Sequence, residues 1–168
     1  MPNISTPRLE QRNEQPCVFI RAHVRMGEIG PQVPALVPKL FDWVGLRGVK
    51  QDGPVFFRYN VVDMDGLMEI DVGMAVKEAA AGDAQVKAGV IPGGTYLTMR
   101  HTGHPSELME ATGAFLDWGN KHSVVWRKQP RGNAEVWDAR FEFYIDGPDT
   151  QPDMTKWRTD LAFQVEAR

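Results

Sequence analysis

The spacing of apolar residues along the chain changes several times, and each change marks an element. Residues 17–24, Cys17-Val18-Phe19-Ile20-Arg21-Ala22-His23-Val24, are dense in strand formers, and a weaker alternation over 8–12 predicts an extended partner before them. Gly27, Gly30 and Pro31 break the run. Val33, Leu36, Val37, Leu40, Phe41 and Val44 then recur at helical spacing and form one apolar stripe. Pro34 suits a first turn, Pro38 inside the helix should kink or delay it, and Gly45 and Gly48 end it. Residues 55–62 and 67–76 read as a strand pair around the turn Asp63-Met64-Asp65-Gly66, and 79–83 as a loop.

The order then repeats. Residues 85–91 and 95–100 are extended around Pro92-Gly93-Gly94, a helix starts near Pro105-Ser106-Glu107, and strands follow at 136–145 and 160–165. A shift of 75 residues carries the first helical stripe onto Leu108, Ala111, Thr112, Phe115, Leu116 and Gly119. It also carries Leu40-Phe41-Asp42-Trp43 onto Phe115-Leu116-Asp117-Trp118, and 147–156 then inserts a loop where the first half has a tight turn. Neither half can bury its own short stripe. The expectation is therefore an α+β fold over 1–168, a single domain of duplicated strand–helix–strand–strand units (8–78 and 85–168). The units should share one antiparallel sheet with both helices on one face.

Composition narrows the function. With 42% hydrophobic and 24% charged residues the chain is globular rather than disordered. Net charge is −3, with 19 Lys and Arg interspersed among 22 Asp and Glu, so nucleic-acid binding by this chain alone is not expected. One cysteine, Cys17, excludes an internal disulfide and fits a reducing compartment, where it reads as inert core. Neither a leader pattern nor an apolar run approaching the ~18 residues of a membrane span is visible, which points to a soluble cytoplasmic protein. Phosphate-binding, dinucleotide and nucleophile-elbow motifs are missing, so no cofactor is expected. His101 and His104, with Glu107 three residues on, resemble part of a metal site, but Gly103 and Pro105 make their directions diverge, and no metal is expected.

Several segments together resemble a known family. Gly93-Gly94-Thr95-Tyr96, His101-Thr102-Gly103-His104, Leu116-Asp117-Trp118, Phe141-Glu142-Phe143-Tyr144 and Trp157-Arg158-Thr159-Asp160-Leu161 resemble the GyrI-like small-molecule-binding domain. Met64-Asp65-Gly66 and residues 68–76 look like that family's first-half hairpin. The resemblance implies a ligand groove where the halves meet, and a small-molecule partner of the aromatic or lipophilic kind, cationic ones included. It also implies two alternatives: a hydrolase of strained cyclopropane-containing electrophiles, and a gyrase-inhibitor-like contact with a protein. The helix-turn-helix segment that precedes such domains in regulators is not seen here.

Glu142 is the sharpest candidate. Alternation in Arg140-Phe141-Glu142-Phe143-Tyr144-Ile145 sets Phe141, Phe143 and Ile145 against the helices and turns Arg140, Glu142 and Tyr144 to the other side, into the largest groove. The resemblance puts the family's ligand-reading carboxylate at Glu142. The plainer reading is an exposed strand glutamate paired with Arg140 or Arg58. Arg58 aligns with Glu142 as its counterpart in the first half, so an ion pair in the groove is one expectation. Tyr59, Tyr96, Trp137, Tyr144 and Trp157 are candidate aromatic walls, Tyr96 through its family motif. Were the chain an enzyme, Glu142 and Tyr144 would be its catalytic pair.

Overall fold

The structure is a computed structural model, and it describes residues 2–167. In chain order the elements are β1 (Asn3–Ile4), β2 (Arg8–Arg12), β3 (Gln15–Val24), α1 (Ile29–Gln32), α2 (Leu36–Arg47), β4 (Gln51–Val62) and β5 (Met68–Val76). The second half adds β6 (Lys87–Ile91), β7 (Gly94–Thr102), α3 (Leu108–Lys121), β8 (Lys128–Arg131), β9 (Ala134–Trp137), β10 (Arg140–Tyr144) and β11 (Arg158–Gln164).

Proline chemistry explains where the first helix begins. A single turn, α1, ends just before Val33, and the expected stripe becomes α-helical only from Leu36, in α2. Pro38 is the third residue of α2, where a backbone N–H has no intrahelical partner in any case, so it delays the helix without kinking it. Gly45 does not stop α2. Gly48 does, in the left-handed conformation at φ 65°, where its N–H caps the last carbonyls. The expected strand over 136–145 is two strands, β9 and β10, interrupted at Asp138 and Ala139. The exposed β8, which pairs with β9, has no apolar alternation to announce it.

The strands form an antiparallel sheet in the order β1-β7-β11-β10-β4-β5-β3-β6. Outward from the central pair β4–β10, each side runs through the strand after the helix, its hairpin partner and the strand before the helix. That is β4-β5-β3 on one side and β10-β11-β7 on the other. Register shows which residues share a face. Ile20, Val72, Phe57, Glu142, Leu161 and Met99 lie opposite one another in a single row across the sheet. α2 covers the outer part of this face, with Leu40, Trp43 and Val44 buried against Val18, Val72 and Met74. α3 covers the other end, with Ala111 and Phe115 on Leu97, Met99, Leu161 and Phe163. Both helices therefore lie on one face, and truncating a fully buried ring such as Phe115 should cost about 3–5 kcal/mol. The helix-free face carries its own cluster, drawn from Cys17, Phe56, Ile91, Tyr96, Phe141 and Phe143. Cys17 belongs to β3 and Tyr96 to β7, strands far apart in the sheet order, so the sheet curls around this cluster. Among the described residues no helix is long and apolar enough to cross a membrane.

Candidate functional site

α2 lies over β3 and β5, α3 lies over β7, and the central strands β4 and β10 run between them. Strand alternation puts Arg140, Glu142 and Tyr144 on this helix-bearing side. The sharing of one side by these residues follows the expected parity, but the side is the reverse of the one expected. Phe141 and Phe143 pack with Phe56 inside the curl, with ring centroids 5.1 and 5.8 Å from it. Because β10 is buried on both faces, its apolar side need not be its helix side.

Glu142 is buried, at 8% exposure, and is the only polar member of its row across the sheet. The Tyr144 hydroxyl donates to its Oε1 at 2.7 Å, and the Tyr59 hydroxyl donates to the same oxygen at 3.0 Å. Oε2 receives no donor among the described residues and is not sealed from solvent. Burial pushes the carboxyl above its ordinary 4.5, and the hydrogen bonds from Tyr144 and Tyr59 and the charge of Arg140 oppose that shift. Burial and the neighbouring carboxylate push both phenols well above their usual range, so each remains a protonated donor.

Arg140 is the neighbouring cation, yet among the described residues its guanidinium forms neither an ion pair nor a hydrogen bond, and its Nε is fully buried and unpartnered. It sits instead over three rings, 4.7 Å from the centroid of Phe163, 4.9 Å from Trp137 and 5.6 Å from Tyr59. Such contacts are worth roughly 0.5–2 kcal/mol each, increasing with desolvation. Arg140 and Glu142 thus form a carboxylate and a guanidinium side by side, each held mainly by aromatic residues.

Of the other candidates, Trp137 and Tyr59 join this group through Arg140. Trp157 is half-buried on the approach to β11 and donates its indole N–H to the Gln151 carbonyl. Arg58 and Tyr96 lie on the opposite face from Glu142. Arg58 points away from the helices, donates to the carbonyls of Val90 and Asp138, and packs on Phe141, so the expected Arg58–Glu142 pair does not form. Tyr96 is fully buried in the curl, its hydroxyl donating to the Pro92 carbonyl at 2.6 Å. Cys17 is buried there too, and desolvation raises its thiol to about 11. His101 is fully buried against Glu107 at 2.9 Å, while His104 caps the following turn. Gly103 between them sits at φ 151°, a backbone conformation that L side chains rarely adopt. Among the described residues no three or more His, Cys, Asp or Glu converge on a metal position.

Two open depressions lie away from Glu142. One of about 400 Å³ is lined by residues including Arg8, Glu10, Arg100 and Asp160, and its charges are paired, Arg100 with Asp160 at 2.7 Å. Another of about 210 Å³ abuts Phe143 and Ile145. Sequence reasoning overlooked Arg140 as an aromatic-cage occupant and did not single out Phe163. Parity with Glu142 was the available signal for Arg140; nothing marked Phe163.

The fold is shared with solved structures of low sequence identity. The C-terminal domain of EcmrR matches with a TM-score of 0.78 at 21% identity, over 97% of this chain and 98% of that one. In the EcmrR–DNA complex the score is 0.81 at 20% identity, over 97% of this chain, which spans only 58% of the full EcmrR chain. SAV2435 bound to tetraphenylphosphonium matches at 0.64 and 14% identity, over 97% and 95% of the two chains. A hydrolase from Listeria innocua matches at 0.54 and 11%, over 95% and 91%. No curated protein matches in sequence. The profile of the GyrI-like small molecule binding domain matches residues 5–166, and the chain belongs to that family.

Proposed function

We propose that the chain binds a small aromatic or lipophilic molecule between α2 and α3, over β4 and β10, to sense or sequester it in the cytoplasm. The observation that carries this is the half-satisfied buried carboxylate: two phenols fix Oε1 of Glu142, and Oε2 remains available. A ligand donor can take Oε2, and a hydrogen bond to a charged acceptor contributes about 1.5–3 kcal/mol. Tyr59 and Tyr144 are half-buried beside it and offer apolar contact as well as the two hydroxyls. The structural neighbour SAV2435 is solved bound to tetraphenylphosphonium, which supports small-molecule binding by this fold.

Fluorescence titration with 7-hydroxycoumarin, a neutral aromatic with one O–H donor, tests this. Saturable binding is expected, weakened by about 1.5–3 kcal/mol in Glu142→Gln, the range for hydrogen bonds to charged groups. 7-Methoxycoumarin, which lacks the donor, should be insensitive to the substitution. Equal effects on both dyes would remove Glu142 from recognition.

A second reading has one observation in its favour, the upward shift of the Glu142 carboxyl by burial. A carboxyl titrating closer to neutrality can take a proton from water during hydrolysis of a strained electrophile, with Tyr144 orienting it. Turnover of such a substrate that disappears in Glu142→Gln supports this reading. Turnover that survives the substitution rejects it.

A further inference from the structure

We propose that Arg140 is a built-in cation that sets ligand charge: it fills the aromatic cage of Tyr59, Trp137 and Phe163 beside Glu142, so that the site refuses permanent aromatic cations and accepts neutral aromatic molecules bearing both a donor and an acceptor. This rests on the groove reading above and specifies its ligand class.

Three observations carry it. The guanidinium lies 4.7–5.6 Å from three ring centroids, the arrangement an aromatic box uses to hold a ligand cation. Arginine normally spends its five N–H donors on carboxylates or carbonyls. Here, among the described residues, the side chain makes no hydrogen bond, and Nε is buried without a partner. Arg58 in the same sheet also has a buried, unpartnered Nε, but its two Nη atoms are anchored to backbone carbonyls, as those of Arg140 are not. Finally, the carboxylate that would attract a foreign cation already has a positive neighbour on its own strand, two residues away. A second cation entering this space would meet like charge at close range in a desolvated setting, which is strongly unfavourable. A neutral molecule meets no such penalty. Its donor can reach Oε2 of Glu142, and its acceptor can take the idle Nη donors of Arg140.

The test compares 7-hydroxycoumarin with ethidium, a permanent aromatic cation, on the full chain. Wild-type protein should bind ethidium at least tenfold more weakly than the coumarin. Arg140→Ala empties the cage and should strengthen ethidium binding at least tenfold while weakening the coumarin severalfold. Arg140→Lys retains the charge and should leave ethidium weak, which a purely packing role would not predict. Adding Glu142→Gln to Arg140→Ala should cancel the ethidium gain. Arg140→Met keeps the stem, guards against misfolding of the alanine variant, and should shift ethidium in the same direction by a smaller factor. Ethidium binding wild type as tightly as the coumarin, or failing to improve in folded Arg140→Ala and Arg140→Met, overturns the inference while the groove reading stands. Absence of saturable binding of either dye to every variant overturns the groove reading and this inference with it.

Discussion

Among the described residues two carboxylates are buried in the sheet, one on each face, and they are held in opposite ways. Asp71, on the helix-free side, is 1% exposed and accepts from Arg21 Nε at 2.9 Å, Arg21 Nη2 at 3.2 Å and Asn60 Nδ2 at 2.8 Å. Both oxygens are used, and a guanidinium bound through two nitrogens supplies the countercharge. Glu142, on the helix side, receives only neutral hydroxyls, both on one oxygen, and its nearby guanidinium is turned to aromatic rings. Desolvation of Asp71 is offset inside the chain. Desolvation of Glu142 is offset only in part, by Tyr144, Tyr59 and Arg140, and its carboxyl is pushed up on balance. The difference separates a carboxylate that ties strands together from one with a single oxygen held by phenols and the other left without a donor from the described residues.

The comparison is most directly broken at Asp71. Asp71→Ala strands Arg21 and Asn60, and because the Arg21 side chain remains 34% exposed, water softens the loss. A destabilisation of about 2–3 kcal/mol is expected by urea denaturation. A loss below 1 kcal/mol would show that the two carboxylates differ less than their partners suggest.

Glu142→Gln should act in the other direction. A carboxyl raised above its unfolded value holds its proton longer in the folded state. Folded protein therefore carries more protons between the unfolded and folded values, and stability falls as pH rises through that window. Above the window the cost is fully present. Glutamine has no charge to desolvate and can still accept from both tyrosines. Thermal unfolding near neutral pH should show a gain of about 1 kcal/mol, roughly 2–4 °C, and this particular fall with pH should vanish. Destabilisation by the substitution would place Glu142 with Asp71 as a strand tie.

Much of this arrangement is legible in the chain before any coordinates. The helical stripes lead to both helices, and the alternation of Arg140, Glu142 and Tyr144 correctly unites them on one side. The side itself is not legible, because local alternation carries no information on which face of a doubly buried strand bears helices. The face of Tyr96 is hidden for the same reason: its neighbour Leu97 takes the α3 side, which turns Tyr96 into the curl. The Arg140 cage is beyond local reading. Tyr59, Trp137 and Phe163 come from β4, β9 and β11, and only the sheet order brings them together.

The finest distinction lies within the Glu142 site, between the two tyrosines that share one oxygen. Tyr144→Phe and Tyr59→Phe each delete a hydroxyl and keep the ring, so the packing of Tyr144 on Phe57, 4.7 Å between centroids, and of Tyr59 under Arg140 is retained. A hydrogen bond to the ionised form lowers an acid's pKa, so either deletion should raise Glu142 further and extend the fall in stability to higher pH. The Tyr144 bond is the shorter, 2.7 against 3.0 Å, and its loss should move the carboxyl more. The two variants should differ by only about 0.5 kcal/mol, the scatter among individual hydrogen bonds. Carboxyl ¹³C shifts of labelled glutamate, followed against pH with Glu142→Gln identifying the resonance, resolve a difference of that size. A larger shift from Tyr59→Phe would mean that Tyr59, pinned beneath the Arg140 cation, is the stronger donor, and that the cage and the carboxylate act as one unit.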